Sequence, residues 1–333
     1  MPRKSFALIL LLNTLPKLCF AYHFDPALHP EFSDRGGIYY YLSSPEFIPD
    51  RELGFIHNNK PFRFTVTTKE KLVWDVTESF DQDSFRITPQ DHLEKRKDFL
   101  AFFGCSFTVG TGVNDDETFP YHLATTMKDW HVYNLGIGAS APNMMLALLQ
   151  SDRLKKKIKE NSGIFVYMGG GHLQRANGFY MESEWMRDTP FYEKDKSGHL
   201  VRNGSFDTAN PRRLAIYDFV RSLQKNLFPQ FHFNWPRISK SHIDYSCDLI
   251  AAAVAEAKKL NKNAKLLVFS HPLYPIEPEV IRCLRARSIS VLEHPLSYIA
   301  PTDLYMDGHP TASFNKKFAA ILAKDLEPYL SPR

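Results

Sequence analysis

Short apolar runs alternate with segments of helical hydrophobic spacing from residue 98 to the C terminus. The runs FLAFF, HVYNLG, GIFVYMGGG, KLLVFSHP and ISVLEHP are typical of buried strands, since they are short and bounded by turn residues. The segments FPYHLATTMKDW, APNMMLALLQSDRLKKK, CDLIAAAVAEAKKL, EPEVIRCLRARS and FNKKFAAILAKDLEPYL are predicted helices. This alternation predicts an α/β fold in which helices cover both faces of a doubly wound, mostly parallel sheet.

Two further segments precede this pattern. Residues 22–97 contain FRFTVTT, KLVWDVTESFD and SFRITP, whose alternating or β-branched character predicts a small antiparallel β unit. Residues 1–21 have a basic start, an apolar run and Ala21 before YHFDP, which predicts a secretory signal peptide cut after Ala21. A buried first helix or an uncleaved membrane anchor is the alternative interpretation of residues 1–21. We expect an exported protein, periplasmic or secreted, with no stable membrane span after signal removal.

An insertion interrupts the main domain, which we assign to residues 98–333. The segment from about 177 to 213 lacks the regular pattern, and we expect it to contain a hairpin that turns at Ser197-Gly198. This insertion is either a substrate platform or an exposed loop.

The composition limits the possible partners. The chain has 333 residues, 44% of them hydrophobic, and a net charge of +4. Loss of residues 1–21 removes three basic residues and no acidic one, so the remaining charge gives no reason to expect nucleic acid binding. Among the 4 cysteines, Cys247 and Cys283 either pair in an oxidising compartment or remain thiols. No Cys/His spacing fits zinc, so we expect no metal.

Glycine and polar residues collect where three of the predicted strands end. These clusters are Gly104-Cys105-Ser106, Asn134-Leu135-Gly136-Ile137-Gly138-Ala139 and Gly169-Gly170-Gly171-His172. Because ligands bind outside the carboxyl ends of strands in open α/β sheets, Ser106 stands where a nucleophile would be placed. A serine nucleophile requires an imidazole base, a carboxylate that orients it, and N–H donors for the oxyanion.

The candidate base comes from the segment before the last helix. His271, His294 and His309 each precede a proline, but only His309 has a carboxylate, Asp307, two residues earlier with glycine between them. That spacing lets one tight loop bring the carboxylate to Nδ1 and leave Nε2 for Ser106. The alternative is that MDGHP is an ordinary polar turn before a helix. Asp303 is a second candidate for the orienting acid.

Four motifs together resemble a known family. FFGCSFTVG, NLGIGASAP, VYMGGGHLQR and DGHP occur in the order of the four blocks of SGNH/GDSL-type serine hydrolases. The resemblance covers the chain from about residue 98 and is closest to exported bacterial members. It implies a three-layer flavodoxin-like α/β fold and ester hydrolysis without a cofactor. It also implies that Ser106 is the nucleophile, with its own amide as one oxyanion donor, and that His309 is the base.

The sequence departs from the family pattern at several positions. Cys105 replaces the usual aspartate before the serine, and the second-block glycine falls on Ala139, beside Gly138. In the third block, Gly171 takes the place of the asparagine that donates to the oxyanion, and His172 takes the place of the following aspartate. The D-x-H spacing is shared with related sugar O-acetylation enzymes. The expected oxyanion donors are therefore Ser106, Gly138 or Ala139, and Gly171 or His172.

These residues predict a serine esterase. The expected substrate is a small acyl ester, with acetyl on a carbohydrate favoured, and either a small molecule or a polysaccharide carries it. Arg175, three residues after His172, either binds substrate or forms a surface ion pair. An O-acetyltransferase and a lipase or lysophospholipase are alternative enzymes on the same site. A non-catalytic carbohydrate-binding module on a degenerate hydrolase fold is the alternative from another class.

Overall fold

The N-terminal part forms two small antiparallel sheets. The computed structural model describes residues 32–34, 38–179, 187–227, 238–293 and 300–330. A four-stranded sheet has the order β1-β2-β5-β6, and β3 and β4 form a separate hairpin. The strands are β1 (Phe32–Asp34), β2 (Ile38–Leu42), β3 (Phe47–Asp50), β4 (Gly54–His57), β5 (Phe62–Thr68) and β6 (Leu72–Glu78).

Two of the three strands predicted here from sequence are correct, and the third is wrong. FRFTVTT and KLVWDVTESFD form β5 and β6, which pair antiparallel. SFRITP makes only isolated bridges, in which Arg86 faces Phe80 and Asn134. Arg86 occupies a polar position in the alternating pattern of SFRITP, but its side chain is not exposed on a strand face. It is buried in an ion pair with Glu78.

The main sheet has five strands, all parallel, in the order β13-β12-β9-β7-β8. Every apolar run predicted as a strand contributes one of them. Numbered along the main domain, this is the order 2-1-3-4-5 of the flavodoxin-like doubly wound fold, as expected. The strands are β7 (Asp98–Phe103), β8 (Trp130–Asn134), β9 (Ser162–Gly169), β12 (Ala264–Ser270) and β13 (Val291–Glu293).

Helices cover both faces of this sheet, which gives three layers. One apolar core lies between the sheet and α3, α8 and α9, and a second lies between the sheet and α2 and α10. The helices are α1 (Ser106–Val109), α2 (Phe119–Thr126), α3 (Pro142–Gln150), α4 (Asp152–Lys157), α5 (Leu173–Ala176), α6 (Phe206–Ala209), α7 (Pro211–Leu227), α8 (Lys240–Leu260), α9 (Pro278–Ala286) and α10 (Ala312–Leu326).

One predicted helix is in fact two. APNMMLALLQSDRLKKK divides at Ser151, whose hydroxyl accepts from the amide of Arg153 and so caps α4. Nearly all of α3 is buried, whereas α4 is basic and buries only Leu154. The chain must therefore change direction at Ser151 to bring the lysines of α4 into solvent.

The insertion contains the expected hairpin. Strands β10 (Pro190–Lys194) and β11 (Leu200–Ser205) pair antiparallel, and Gly198 in the turn between them has a φ of 83°. Phe191, Phe206 and Leu214 form a small core of their own beneath the hairpin. Helices α6 and α7 follow the hairpin, and neither was predicted from the sequence. The predicted signal segment, residues 1–21, lies outside the described residues.

A disulfide joins Cys247 of α8 to Cys283 of α9, across a sequence separation of 36. Closing a loop of this length restricts the unfolded chain and is expected to stabilise the fold by about 3–4 kcal/mol. We expect the Cys247→Ser, Cys283→Ser double variant to lose that much free energy of unfolding in urea titrations. Reductant should lower the stability of the wild type to that of the variant and leave the variant unchanged. Equal stability of oxidised wild type and variant would contradict this expectation.

Within the described ranges, no helix is both long and apolar enough to cross a membrane.

Candidate active site

The site lies where the strand order of the main sheet reverses. From β7 the chain goes first to β8 on one side and then to β9 on the other. Ser106 begins α1 two residues after Gly104 at the carboxyl end of β7, and the glycines of the third block follow β9 directly. In doubly wound sheets this point opens a crevice between the loops of the two strands.

Ser106, His309 and Asp307 meet at this crevice. The Ser106 hydroxyl lies 3.0 Å from Nε2 of His309, and Nδ1 of the same ring lies 2.7 Å from Oδ2 of Asp307. The other carboxylate oxygen of Asp307 accepts the His309 backbone N–H at 3.1 Å. A neutral ring that donates Nδ1–H to Asp307 leaves Nε2 as the acceptor for the serine hydroxyl. This is the hydrogen-bond geometry of a Ser-His-Asp triad.

A tight loop and two aromatic side chains hold the imidazole in place. Gly308, between Asp307 and His309, has a φ of 89°, and the Tyr305 amide donates to the His309 carbonyl at 2.8 Å. The Trp74 ring lies 6.3 Å from the His309 ring, and the Phe107 ring lies 5.6 Å from it, both nearly perpendicular. Trp74 comes from β6, so the N-terminal unit forms one wall beside the candidate base.

The other candidates for base and acid are occupied elsewhere. Asp303 pairs with Lys317 at 2.8 Å and accepts the Ala300 amide, so it does not orient His309. His271 is buried, and its Nδ1 accepts the Leu273 amide at 3.2 Å. His294 lies outside the described residues.

Two backbone amides remain for an oxyanion. Ser106 N and Ala139 N have no acceptor among the described residues. Ala139 has a φ of 57°, an unusual value for a residue with a Cβ. The turn around it is tied to the nucleophile loop, because Ile137 N and Ser140 Oγ both donate to the Gly104 carbonyl, at 2.9 and 2.7 Å.

Gly138 is not an available donor, which corrects one sequence expectation. Its N–H donates to Nε2 of His57 at 2.9 Å, and both groups are buried. Of the two residues left open from the sequence, Ala139 is therefore the remaining candidate donor. No pattern in the sequence pointed to His57, which lies 81 residues earlier in the chain.

The expectation for the Gly171 amide is also wrong, and the His172 side chain is buried. The Gly171 N–H donates to the Pro275 carbonyl at 3.3 Å, and a Cβ at this position would overlap the Tyr274 ring. His172 is 3% exposed, with Nδ1 at 2.7 Å from the Tyr167 hydroxyl. Its Nε2 is buried without a hydrogen-bond partner among the described residues, and its role as an oxyanion donor stays a prediction. The Tyr274 ring instead fills the space beside Gly171.

Burial of His172 predicts a specific dependence of stability on pH. Burial, followed by the charges of Arg175 and His271, lowers the pKa of His172 well below 6.5. In the unfolded chain the His172 imidazole therefore binds a proton near pH 6.5, whereas in the folded chain it stays neutral. The free energy of unfolding consequently falls as the pH drops below that value. We expect His172→Gln to reduce this loss by up to about 1.4 kcal/mol per pH unit. Urea titrations from neutral to mildly acidic pH measure it, and identical slopes for both proteins would contradict it.

Arg175 lies on α5 and is half-buried, and its Nη1 is buried without a hydrogen-bond partner among the described residues. Its role in binding substrate stays a prediction. No group of three or more His, Cys, Asp and Glu side chains in the described ranges could hold a metal ion.

A buried ion pair supports the loop after the candidate nucleophile. Glu78 and Arg86 lie 2.8 Å apart, and both side chains are fully buried. Glu78 accepts the Gly112 amide at 3.0 Å, and Arg86 donates to the Val113 carbonyl at 2.7 Å. Arg86 also pairs with Asp115 at 2.8 Å. This ion pair was not predicted from the sequence. The available signal was that Glu78 and Arg86 are charged residues within alternating apolar runs.

Comparison with known proteins gives matches to solved structures alone. No protein-family model matches the chain, and no curated protein matches it. The acetyl xylan esterase Est2A from the rumen bacterium Butyrivibrio proteoclasticus is 11% identical, with 70% of this chain and 64% of that chain covered and a TM-score of 0.40. TesA is 13% identical, with 70% and 99% covered and a TM-score of 0.40.

A catalytic mutant of Axe2, an acetylxylan esterase from Geobacillus stearothermophilus, is 11% identical, with 72% and 96% covered and a TM-score of 0.38. Similarity at this level leaves the reaction to be argued from the geometry of this chain's own residues.

Proposed function

We propose that this protein is a serine esterase of the SGNH/GDSL type, with Ser106 as nucleophile, His309 as base and Asp307 as the orienting acid. The observation that carries the proposal is the continuous hydrogen-bond relay from the Ser106 hydroxyl through His309 to Asp307, at 3.0 and 2.7 Å. Its position at the switch point of a parallel sheet adds support, because substrates bind there in this architecture.

The reaction proceeds through an acyl-enzyme. The Ser106 oxygen attacks the ester carbonyl carbon while its proton passes to Nε2 of His309. The amides of Ser106 and Ala139 donate to the oxyanion, and Asp307 stabilises the imidazolium. The intermediate collapses when His309 returns the proton to the leaving alcohol oxygen. Water then attacks the acyl carbonyl in the same way, which releases the carboxylic acid and restores the Ser106 hydroxyl.

We also propose that the acyl group is small, with acetyl on a carbohydrate favoured, and that residues 1–21 direct export. The insertion supports a polar substrate, since the tip of its hairpin from Glu193 to His199 is charged and exposed. Its small core packs against Ala139, which brings the hairpin unit next to the site. The exposed Tyr274 ring, 44% accessible, offers a flat apolar surface on which a sugar ring can stack.

A panel of esters tests both levels of the proposal. Wild type and Ser106→Ala are given para-nitrophenyl esters of short and long acids, and acetylated polysaccharides with acetate release as the readout. We expect wild type to cleave the short esters and release acetate, and Ser106→Ala to do neither. Cleavage confined to long chains would overturn the carbohydrate assignment and leave the serine esterase. Absence of any hydrolysis by folded wild type would overturn the esterase. Sugar acceptors added to the acetyl ester reveal transfer in place of hydrolysis.

A further inference from the structure

A buried histidine of the N-terminal unit contacts the turn that carries the oxyanion amide. His57 ends β4 and is 0% exposed, and its Nε2 accepts the Gly138 N–H at 2.9 Å. Gly138 immediately precedes Ala139, the residue whose amide remains available at the site. The contact therefore links the small N-terminal hairpin to the candidate chemistry of the main domain.

The His57 ring is held rigidly. It stacks on Phe80 with centroids 4.3 Å apart and an angle of 14° between the planes, and Phe47 lies 4.7 Å away on the paired strand β3. The hairpin is anchored to the main domain by an ion pair between Asp50 and Arg153 at 2.6 Å. The acceptor nitrogen is consequently fixed relative to the main sheet.

The turn that His57 contacts is strained, and it is also held at Ile137 and Ser140, which both donate to the Gly104 carbonyl. Ala139 adopts a φ of 57°, a left-handed conformation that costs about 1 kcal/mol or more for a residue with a Cβ. Ser140 beyond it donates to the Gly104 carbonyl, two residues before Ser106. Between these two contacts, the hydrogen bond to His57 holds Gly138, which is joined to the Ala139 N–H through the same peptide unit, so the direction of that N–H depends on His57 as well.

A histidine at this position is costly for stability. Its Nδ1 is buried with no hydrogen-bond partner among the described residues. Burial, followed by the charge of Arg86, lowers the pKa of His57 to about 3, so the ring is neutral near neutral pH. A buried donor without a partner costs about 1–3 kcal/mol, and such groups call for an explanation beyond packing.

We propose that His57 is a positioning residue that aims the Ala139 amide at the oxyanion by accepting the Gly138 N–H. This inference rests on the proposed function. It makes the N-terminal β unit part of the catalytic apparatus.

Substitution of His57 tests the proposal with a readout that a merely structural role would not give. His57→Phe keeps the stacked ring and removes the acceptor, whereas His57→Gln keeps an acceptor oxygen. We expect kcat for an acetyl ester to fall by about 10²-fold in His57→Phe, with KM nearly unchanged, since loss of one oxyanion donor has about this effect. His57→Gln should retain most of the activity. The limbs of the pH–rate profile should not move, because His57 stays neutral over the working range.

His131→Phe is the control, because His131 lies near the amino end of β8, opposite the carboxyl edge that carries the site, and contacts Glu160 rather than this turn. We expect it to keep kcat within about 3-fold of wild type. If His57→Phe does not fold, His57→Asn, whose side chain is too short to reach Gly138, takes its place with the same expected loss. A loss below about 10-fold, or an equal loss in the control, overturns the positioning role. Labelling of Ser106 by a fluorophosphonate in every variant separates these outcomes from a failure of the proposed esterase itself.

Discussion

Replacement of Ser106 by alanine is expected to lower kcat for an activated acetyl ester by at least about 10⁴-fold, the largest effect of any single substitution in this chain. In the proposed mechanism the Ser106 hydroxyl forms the acyl-enzyme, and His309 Nε2, the base that activates it, lies 3.0 Å away. KM should change little, because the side chain is small. Initial rates of para-nitrophenyl acetate hydrolysis against a no-enzyme blank measure the loss.

The same experiment shows whether Ser106 and His309 act as a unit. His309→Ala should cost nearly as much as Ser106→Ala, and the double variant should lose no more than either single one, as in a serine hydrolase relay. Ser197→Ala, on the exposed tip of the insertion, is the control for an ordinary serine. Multiplicative losses in the double variant would show that the two residues contribute independently, against the relay.

The second large effect is expected on stability, from Arg86→Met. This substitution leaves the Glu78 carboxylate fully buried without its partner at 2.8 Å, and a broken buried pair of this kind costs about 3–5 kcal/mol. The Gly112–Val113 loop also loses the guanidinium donor to the Val113 carbonyl. Urea denaturation of the purified variant measures the free energy of unfolding, and we expect the midpoint to fall sharply.

Two further variants define the origin of this loss. Arg282→Met removes one partner of an exposed pair with Glu279 and should change stability by less than about 1 kcal/mol. Adding Glu78→Leu to Arg86→Met removes the stranded carboxylate and should restore part of the lost stability. If Arg86→Met is no more destabilised than Arg282→Met, the buried pair does not support the fold.

The parts of the site that the sequence predicted are those encoded locally. Asp307 and His309 lie two residues apart across a glycine, so their contact follows from a single tight turn. Ser106 and His309 are 203 residues apart, yet both lie at the carboxyl edge of one sheet, and the parallel arrangement of its strands follows from the alternation of apolar runs and helices. For the same reason all five strands of the main sheet were predicted correctly.

The parts that the sequence did not predict depend on distant partners. Whether Gly138 or Ala139 offers its amide is decided by His57, on a strand of another sheet. In the third block, the space beside Gly171 is filled by the ring of Tyr274, which comes from the loop after β12. SFRITP resembles a strand because Arg86 occupies a position of its alternation, but that side chain is buried by pairing with Glu78. These contacts join residues that are far apart in the chain, so the local sequence pattern does not predict them.

The measurement that tests the central claim most directly is covalent labelling with a fluorophosphonate, followed by intact mass and peptide mapping. The geometry of Ser106, His309 and Asp307 predicts one adduct per molecule of wild type, located on Ser106, none in Ser106→Ala, and strongly slowed labelling in His309→Gln. Folded wild type that remains unlabelled, or Ser106→Ala that is labelled as fast as wild type, would contradict it.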